Sequence, residues 1–271
     1  MLPLFSDSQF CAMTKSNSFF QFRQFRIEQD RCALKVGTDG VLLGGWTDTD
    51  RAKNILDIGT GTGLIALMLA QRTDKEKAKI TAIEIDEETA TQAKINISNS
   101  KWAERITVKC QSLQDHLTDT PFDLIVCNPP YFSNSMKSAD DKRAKARHDD
   151  TLPAIDLATH SIRLLAPHGR LCIILPTEMG MKFAQMAQEM GLWLRKSTLV
   201  FAKPGSTPKR VLMELCTDAE NTSATSSLLI RNADNNEYTP EYKKLLEEFF
   251  LSTEELAALK EKEKMRQKKR E

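Results

Sequence analysis

Between Asn54 and Cys216, short runs rich in β-branched and aliphatic residues alternate with amphipathic stretches of helix length, the pattern that builds a parallel sheet covered on both faces. The expected strands are Asn54–Ile58, Lys79–Ile85, Ile106–Lys109, Phe122–Cys127, Arg170–Leu175, Leu194–Phe201 and Arg210–Leu215. Helices are expected at Leu64–Gln71, Glu87–Asn99, Leu152–Leu165 and Met179–Met190. The last two strands follow each other without a helix, so they should pair antiparallel. Their connection, Ala202–Lys209, carries Pro204, Gly205 and Pro208 and suits a loop. The fold class is therefore α/β: a seven-stranded, mostly parallel sheet, its last strand antiparallel, with helices on both faces. A chain of 271 residues accommodates one such domain with terminal additions.

The first strand runs into Asp57-Ile58-Gly59-Thr60-Gly61-Thr62-Gly63 and then the apolar helix from Leu64. Glycines let a backbone turn sharply and approach a ligand where a Cβ would collide, while a helix N-terminus offers unpaired N–H groups. Nicotinamide and flavin enzymes use glycine turns too, and a tight turn alone needs no ligand. The distinguishing feature is the carboxylate two residues before the first glycine, which would repel a pyrophosphate and suits a zwitterionic, sulfonium-bearing ligand. The second strand ends Glu84-Ile85-Asp86, with Glu84 25 residues beyond Gly59, near the spacing of an acid that accepts from ribose hydroxyls. Asp86 is expected to cap the next helix. Gln111 and Ser112, just past the third strand, stand by position alone where an adenine edge would lie.

The fourth strand leads directly into Asn128-Pro129-Pro130-Tyr131. Successive prolines stiffen the backbone and supply no N–H, so the Asn128 amide and the proline carbonyls become fixed acceptors at the carboxyl end of the sheet, where open α/β folds bind ligands. An amino group conjugated to a ring or carbonyl is a poor nucleophile. Acceptors from Asn128 and Pro129 would turn its lone pair outward and stabilise positive charge developing on it, and Tyr131 can stack on a flat acceptor. An ordinary Pro-Pro loop closing a strand is the plainer alternative.

The net charge is +1, so a polyanionic partner must be met by local basic patches. Candidates are Lys137, Lys142, Arg143, Lys145 and Arg147 in the segment after the tetrapeptide, for which a solvated loop with its charge offset by Asp140, Asp141, Asp149 and Asp150 is the plainer reading, Lys209 and Arg210, the aromatic and arginine run Phe19–Arg26, and the charged tail Lys260–Glu271. For the last two, an edge strand and a solvated helix end are the plainer readings. The six cysteines are scattered, with no C-x-x-C pair, and His116, His148, His160 and His168 form no metal-binding pattern, so no metal is expected. There is no cleavable apolar run at the N-terminus and no membrane-length apolar stretch, from which a cytoplasmic protein is expected.

The Asp57–Gly63 loop and the Asn128–Tyr131 tetrapeptide resemble those of the amino-methyltransferase branch of the Rossmann-like methyltransferases, which includes adenine-N6, guanine-N2 and protein-glutamine enzymes. Further segments, Lys35–Gly44, Ala146-Arg147-His148, Pro208–Leu212 and Tyr238–Tyr242, make the chain similar over about residues 20–251 to the bacterial valine-tRNA adenine-37 N6-methyltransferase family. The resemblance implies S-adenosyl-L-methionine as cofactor, held by Asp57, Gly59, Gly61, Gly63 and Glu84, and Thr60, Gln111 and Asn128 are further candidates for the same site. It implies Asn128, Pro129, Pro130 and Tyr131 as the catalytic residues. The partner it implies is tRNA, through its anticodon stem-loop, bound with the help of Lys142, Arg143, Lys145, Arg147 and Arg210. A monomer is expected. Thr38 and Asp39 either close over the methionine end of the cofactor or cap a helix.

The expected organisation is an N-terminal extension over residues 1–50, comprising an aromatic and arginine-rich hairpin and a cofactor-closing segment, a methyltransferase domain over 51–220, and a C-terminal extension over 221–271 ending in the basic tail. Three other functions compete: a protein-glutamine N5-methyltransferase, an rRNA amino-methyltransferase, and an RNA-binding protein on a retired methyltransferase fold. The glutamine enzymes carry a sizeable helical N-terminal domain, whereas only about fifty residues precede the first core strand here.

Overall fold

The computed structural model describes residues 18–30, 32, 35–73, 75, 77–130, 152–219, 223–234, 237–252, 254–258, 261 and 265. Two short strands, β1 (Phe19–Gln21) and β2 (Arg26–Glu28), form an antiparallel hairpin ahead of helix α1 (Thr38–Trp46). The core follows as β3 (Asn54–Ile58), α2 (Leu64–Arg72), β4 (Lys79–Glu84), α3 (Glu87–Ser98), β5 (Ile106–Cys110), β6 (Phe122–Cys127), α4 (Ala154–Leu164), β7 (Leu165–Pro176), α5 (Thr177–Glu189), β8 (Trp193–Phe201) and β9 (Arg210–Cys216). Strand β10 (Ala224–Leu229) and helix α6 (Pro240–Leu246) complete it.

The sheet has eight strands in the order β10-β8-β9-β7-β6-β3-β4-β5. Only β9 runs against its neighbours, pairing antiparallel with both β7 and β8. The antiparallel expectation therefore holds, and the count of seven is corrected to eight. Strand β10 was missed because its sequence, ATSSLL, begins with four exposed residues and has no apolar alternation. It joins the parallel edge of β8 partly through hydroxyls, Ser197 to Thr225 at 3.1 Å and Thr198 to Ser226 at 2.7 Å. A second correction concerns β7, which starts at Leu165 and not Arg170. The run Ala166–Gly169 pairs irregularly alongside Phe122, with His168 in the left-handed region at φ 62°.

Strands β3, β6 and β7 are buried on both faces, which is why they read as nearly continuous aliphatic runs. Both chain ends add to the core on one face. Phe20, Phe22 and Phe25 of the hairpin region pack with Phe249 and Phe250, and the Phe22 and Phe250 rings stack at 5.7 Å. The aromatic alternation at the N-terminus is thus core packing. Among its arginines, Arg23 pairs with Glu255, and Arg26 pairs with Glu28 and lies over the Phe19 ring.

One buried side chain joins the hairpin to the glycine turn. Asn96, on α3, accepts from the Glu28 N–H at 2.9 Å and donates to the carbonyls of Glu28 and Thr62, both at 2.8 Å. Arg105 closes the C-terminal end of α2, donating to the Ala70, Thr73 and Ala78 carbonyls, where a cation also meets the negative end of the helix dipole.

Candidate active site

The order β6-β3-β4 places β3 at the point where the sheet winds outward in both directions, so the crevice beyond its carboxyl end is the natural ligand site. Register aligns the functional positions there. Ile58 is level with Ile83 on one side and Cys127 on the other, and Glu84 is level with Cys110. Gly59, Glu84, Gln111 and Asn128 therefore emerge together at the edge of the sheet. They line a cleft of about 680 Å³ with Gly61, Pro129 and Pro130, a size suited to a nucleoside-bearing small molecule.

Gly59 and Gly61 adopt φ of 65° and 56°, conformations that side-chain-bearing residues rarely take. A Cβ on either would meet no protein atom within 4 Å, so the space above the turn is left for a ligand. Glu84 closes the cleft from the neighbouring strand. Its carboxylate accepts from the Gly61 N–H at 3.0 Å, from Ile85 N–H at 2.9 Å and from Asp86 N–H at 3.2 Å. These bonds hold it in one orientation and leave acceptor capacity for a diol. The Asp86 side chain caps α3, accepting from Thr89 N–H at 2.7 Å, as its position suggested.

Asp57, Thr60 and Gly63 are not on the wall of the cleft; they shape the turn from beneath. Asp57 is fully buried and accepts from the Thr60 hydroxyl at 2.6 Å and from Ala66 N–H at 3.2 Å, while its Oδ1 has no partner among the described residues. Burial pushes its carboxyl up to about 7, against the pull of those two hydrogen bonds, with the charge of Glu84 adding to the rise. The effect on stability has a definite sign. As pH climbs from 3.8 to about 7 the unfolded chain ionises this carboxyl first, so the folded state retains an extra proton and loses stability across that window. Asp57→Asn should remove this component. Melting temperatures of variant and wild type measured from pH 4 to 8 should diverge in favour of the variant up to about pH 7 and then run parallel; a constant difference would remove Asp57 as the titrating group.

Asn128 is half-buried at the end of β6, followed by buried Pro129 and exposed Pro130. Burial holds the neighbouring Cys127 thiol far above its ordinary range, so it is a neutral thiol at physiological pH and offers no nucleophile for covalent catalysis. Across the cleft Gln111 is fixed by its backbone N–H to the Glu84 carbonyl at 2.9 Å and by its side-chain amide against His116 Nδ1. The apolar walls, Ile85, Leu113 and Leu152, were not foreseen. Ile85 had a readable signal: it shares a strand face with buried Ile83 yet lies past the end of the sheet, and it is 56% exposed.

The N-terminal segment borders the same cleft. Burial, and then the charge of Glu84, push the Cys32 thiol up to about 11, while a hydrogen bond with Thr89 works in the other direction. Helix α1 starts with Gly37 as its N-cap, without a side-chain cap bond, so Thr38 and Asp39 are first-turn residues and the capping alternative is corrected. Asp39 is bound by Arg210, whose Nε donates to Oδ2 at 2.7 Å. Arg210, expected to face a substrate, is thus engaged within the protein. Tyr131, Lys142, Arg143, Lys145 and Arg147 lie outside the described residues, and of the tail only Glu261 and Met265 are described. Among the described residues no group of three acidic, His or Cys side chains is arranged to hold a metal, and no helix is long and apolar enough to cross a membrane.

Comparison with known proteins agrees with this geometry. The methyltransferase small domain family matches residues 36–196. The chain is 43% identical over 234 residues to the tRNA1(Val) (adenine(37)-N6)-methyltransferase of Trichodesmium erythraeum, spanning 86% of this chain and 97% of that protein. It is 44% identical over 236 residues to the protein of the same description from Phocaeicola vulgatus, spanning 87% and 99%. A predicted O-methyltransferase from Agrobacterium tumefaciens, known from its crystal structure, is 21% identical with a TM-score of 0.59, over 77% of this chain and 95% of that one, a likeness of fold.

Proposed function

Because the chain belongs to the methyltransferase small domain family and, within it, to the tRNA1(Val) (adenine(37)-N6)-methyltransferases, we propose that it transfers a methyl group from S-adenosyl-L-methionine to the exocyclic N6 of adenosine 37, next to the anticodon, in valine tRNA. The observation that supports this best is the common register that brings the glycine turn, the Glu84 carboxylate and Asn128-Pro129-Pro130 onto one cleft. The cleft fits the cofactor: open space over Gly59 and Gly61, a carboxyl acceptor at Glu84 and apolar walls at Ile85 and Leu113 suit a ribonucleoside carrying a flexible polar chain. When bound, S-adenosyl-L-methionine supplies an electrophilic methyl group on a sulfonium.

This chain's residues then orient the acceptor. The Asn128 amide oxygen and the Pro129 carbonyl accept the two N–H bonds of the adenine amine, which turns the nitrogen lone pair toward the methyl group and stabilises the positive charge that grows on nitrogen. An amine alkylated in that position would be acidic enough to lose its proton to solvent afterwards, so the residues here need supply no strong base. Tyr131 stacks on the adenine, which must leave its loop stack to enter the cleft. Lys142, Arg143 and Lys145 grip flanking phosphates.

Methyl transfer from labelled cofactor to total tRNA, purified valine tRNA, rRNA and a release-factor glutamine, run in parallel, tests the reading. Valine tRNA should take the label at N6 of a single adenosine. Substituting Lys142, Arg143 and Lys145 together by Ala should flatten the dependence of tRNA affinity on salt by about three in log–log slope, since each neutralised phosphate contributes roughly one. Preference for the glutamine or for rRNA would replace the substrate assignment, and cofactor binding without transfer to any of them would indicate an RNA-binding protein.

A further inference from the structure

Helix α1 is secured very differently at its two ends. Its C-terminal half is locked by close packing: a Cβ on Gly44 would stand 2.6 Å from Met68 Sδ, one on Gly45 would stand 2.7 Å from Leu246 Cδ2, and the Trp46 indole N–H donates to the Thr198 hydroxyl at 2.8 Å. The N-terminal turn has no such lock. Its N-cap, Gly37, brings no side-chain hydrogen bond, and Thr38 and Asp39 are partly exposed. Yet this turn abuts the chemistry. A Cβ on Gly40 would lie 3.2 Å from Leu64 Cδ2, at the start of the helix that follows the glycine turn, and 3.9 Å from Nδ2 of Asn128. The first turn of α1 therefore lies close beside the Asn128 amide, at the distance where a Cβ on Gly40 would reach ordinary contact with it.

What holds that turn in place reaches from β9, two strands away from β6. Arg210 is the first residue of β9, in register with Pro176 of β7 and Val200 of β8, so its backbone is anchored between two strands. Its Nη1 donates to the Lys209 carbonyl at 3.0 Å, and its Nε donates to Asp39 Oδ2 at 2.7 Å. The pair thus ties the first turn of α1 to β9, a strand that β7 alone separates from β6, which carries Asn128. The side chains are only 26% and 23% exposed, which limits both screening and the freedom to swing away.

We propose that the Asp39–Arg210 pair is a positioning device for the methyl-transfer step: it clamps the first turn of α1 against Asn128 and so fixes the direction in which the Asn128 amide meets the acceptor amine. Neither residue touches the substrate or the cofactor. The clamp acts on catalytic geometry, where displacements well under 1 Å cost rate steeply, and contributes little to the fold, whose core at α1 is fixed by Gly44, Gly45 and Trp46. This rests on the role proposed above for Asn128, so one readout is chosen that needs no substrate.

The test uses Asp39→Asn, Arg210→Gln, the double variant and Arg210→Lys in the full chain. The side-chain amide resonances of Asn128, identified in nitrogen-15 spectra by their loss in Asn128→Ala, should shift or broaden equally in both single variants and stay near wild type in Arg210→Lys. Single-turnover methyl transfer to saturating valine tRNA should fall about tenfold in each single variant and no further in the double, the non-additivity of residues that act as one unit. Cofactor affinity by calorimetry should stay within twofold, and the melting temperature within a few degrees. Unmoved Asn128 resonances, or losses that multiply to about a hundredfold in the double variant, would overturn the clamp. A change in tRNA KM and salt slope confined to the Arg210 variants would assign Arg210 to RNA contact, and weakened cofactor binding confined to Asp39→Asn would assign Asp39 to the cofactor; either outcome also overturns it. If wild type methylates no tRNA, the proposed function fails, while the Asn128 resonances still decide whether the clamp exists.

Discussion

Asn128→Ala is expected to lower kcat by about 10²- to 10³-fold, the size of effect seen when one preorganised hydrogen-bonding group is removed from developing transition-state charge. The cofactor affinity of the variant should be nearly unchanged. The separation follows from the placement of Asn128: it stands at the end of β6 with Pro129 and Pro130, whereas the glycine turn and Glu84 belong to β3 and β4 on the other side of the cleft. Among the described residues, neither neighbouring candidate offers to replace it. The adjacent Cys127 is buried and neutral, and Asp57 is beneath the turn, committed to Thr60 and Ala66. Stopped-flow or quench measurement of the transfer step, together with calorimetric titration of the cofactor, checks both halves. Retention of wild-type kcat would remove Asn128 from the reaction, and a parallel loss of cofactor affinity would show that it acts mainly by holding the cofactor.

Glu84→Ala is expected to weaken cofactor binding by about 1–3 kcal/mol, the cost of losing a charged acceptor for buried ligand hydroxyls. That is roughly five- to 150-fold in Kd. Asp86 is the obvious substitute by sequence, but its carboxylate is occupied at the N-terminus of α3, where the Thr89 side chain and backbone N–H hold it below the usual carboxylate range. Glu84 also ties down Gly61 N–H, so part of the loss will come from a looser glycine turn. Glu84→Gln separates the two contributions: its amide oxygen can still accept from Gly61 while the ionic acceptor is gone, and its affinity should fall between wild type and Glu84→Ala. Equal affinity for all three would place the ribose contact elsewhere.

Much of the site was readable because of a regularity of parallel α/β sheets. Every strand is followed by a crossover that starts at the same edge, so any chemistry written just after a strand arrives at that edge. The segments after β3, β4, β5 and β6 each announced themselves in this way, as glycines, an acid pair, Gln111 and Asn-Pro-Pro. Register then did the rest, since pairing Ile58 with both Ile83 and Cys127 leaves no freedom to shift one functional segment relative to another.

Side-chain roles were less legible. Asp57 was read as facing a ligand, but its strand lies at the centre of the sheet, and the turn curls over it, leaving it fully buried. Arg210 was read as a cation available to RNA, and its partner Asp39 stands 171 residues away in sequence. Cys32 had no evident role, and folding sets it beside Glu84 and Thr89.

By itself, then, the sequence determined the element types, the parallel winding and the order in which chemical groups meet the carboxyl edge, because these follow from local periodicity, turn residues and chain connectivity. Only the tertiary structure decided which polar groups would be consumed inside the protein. It also decided that a weakly patterned segment, Ala224–Leu229, would become an eighth strand through hydroxyls facing it on β8. The physical reason is common to both: a charged or hydroxylated side chain carries no local mark of its partner, and whether it meets water, a ligand or another part of the chain depends on which surfaces long-range packing brings together.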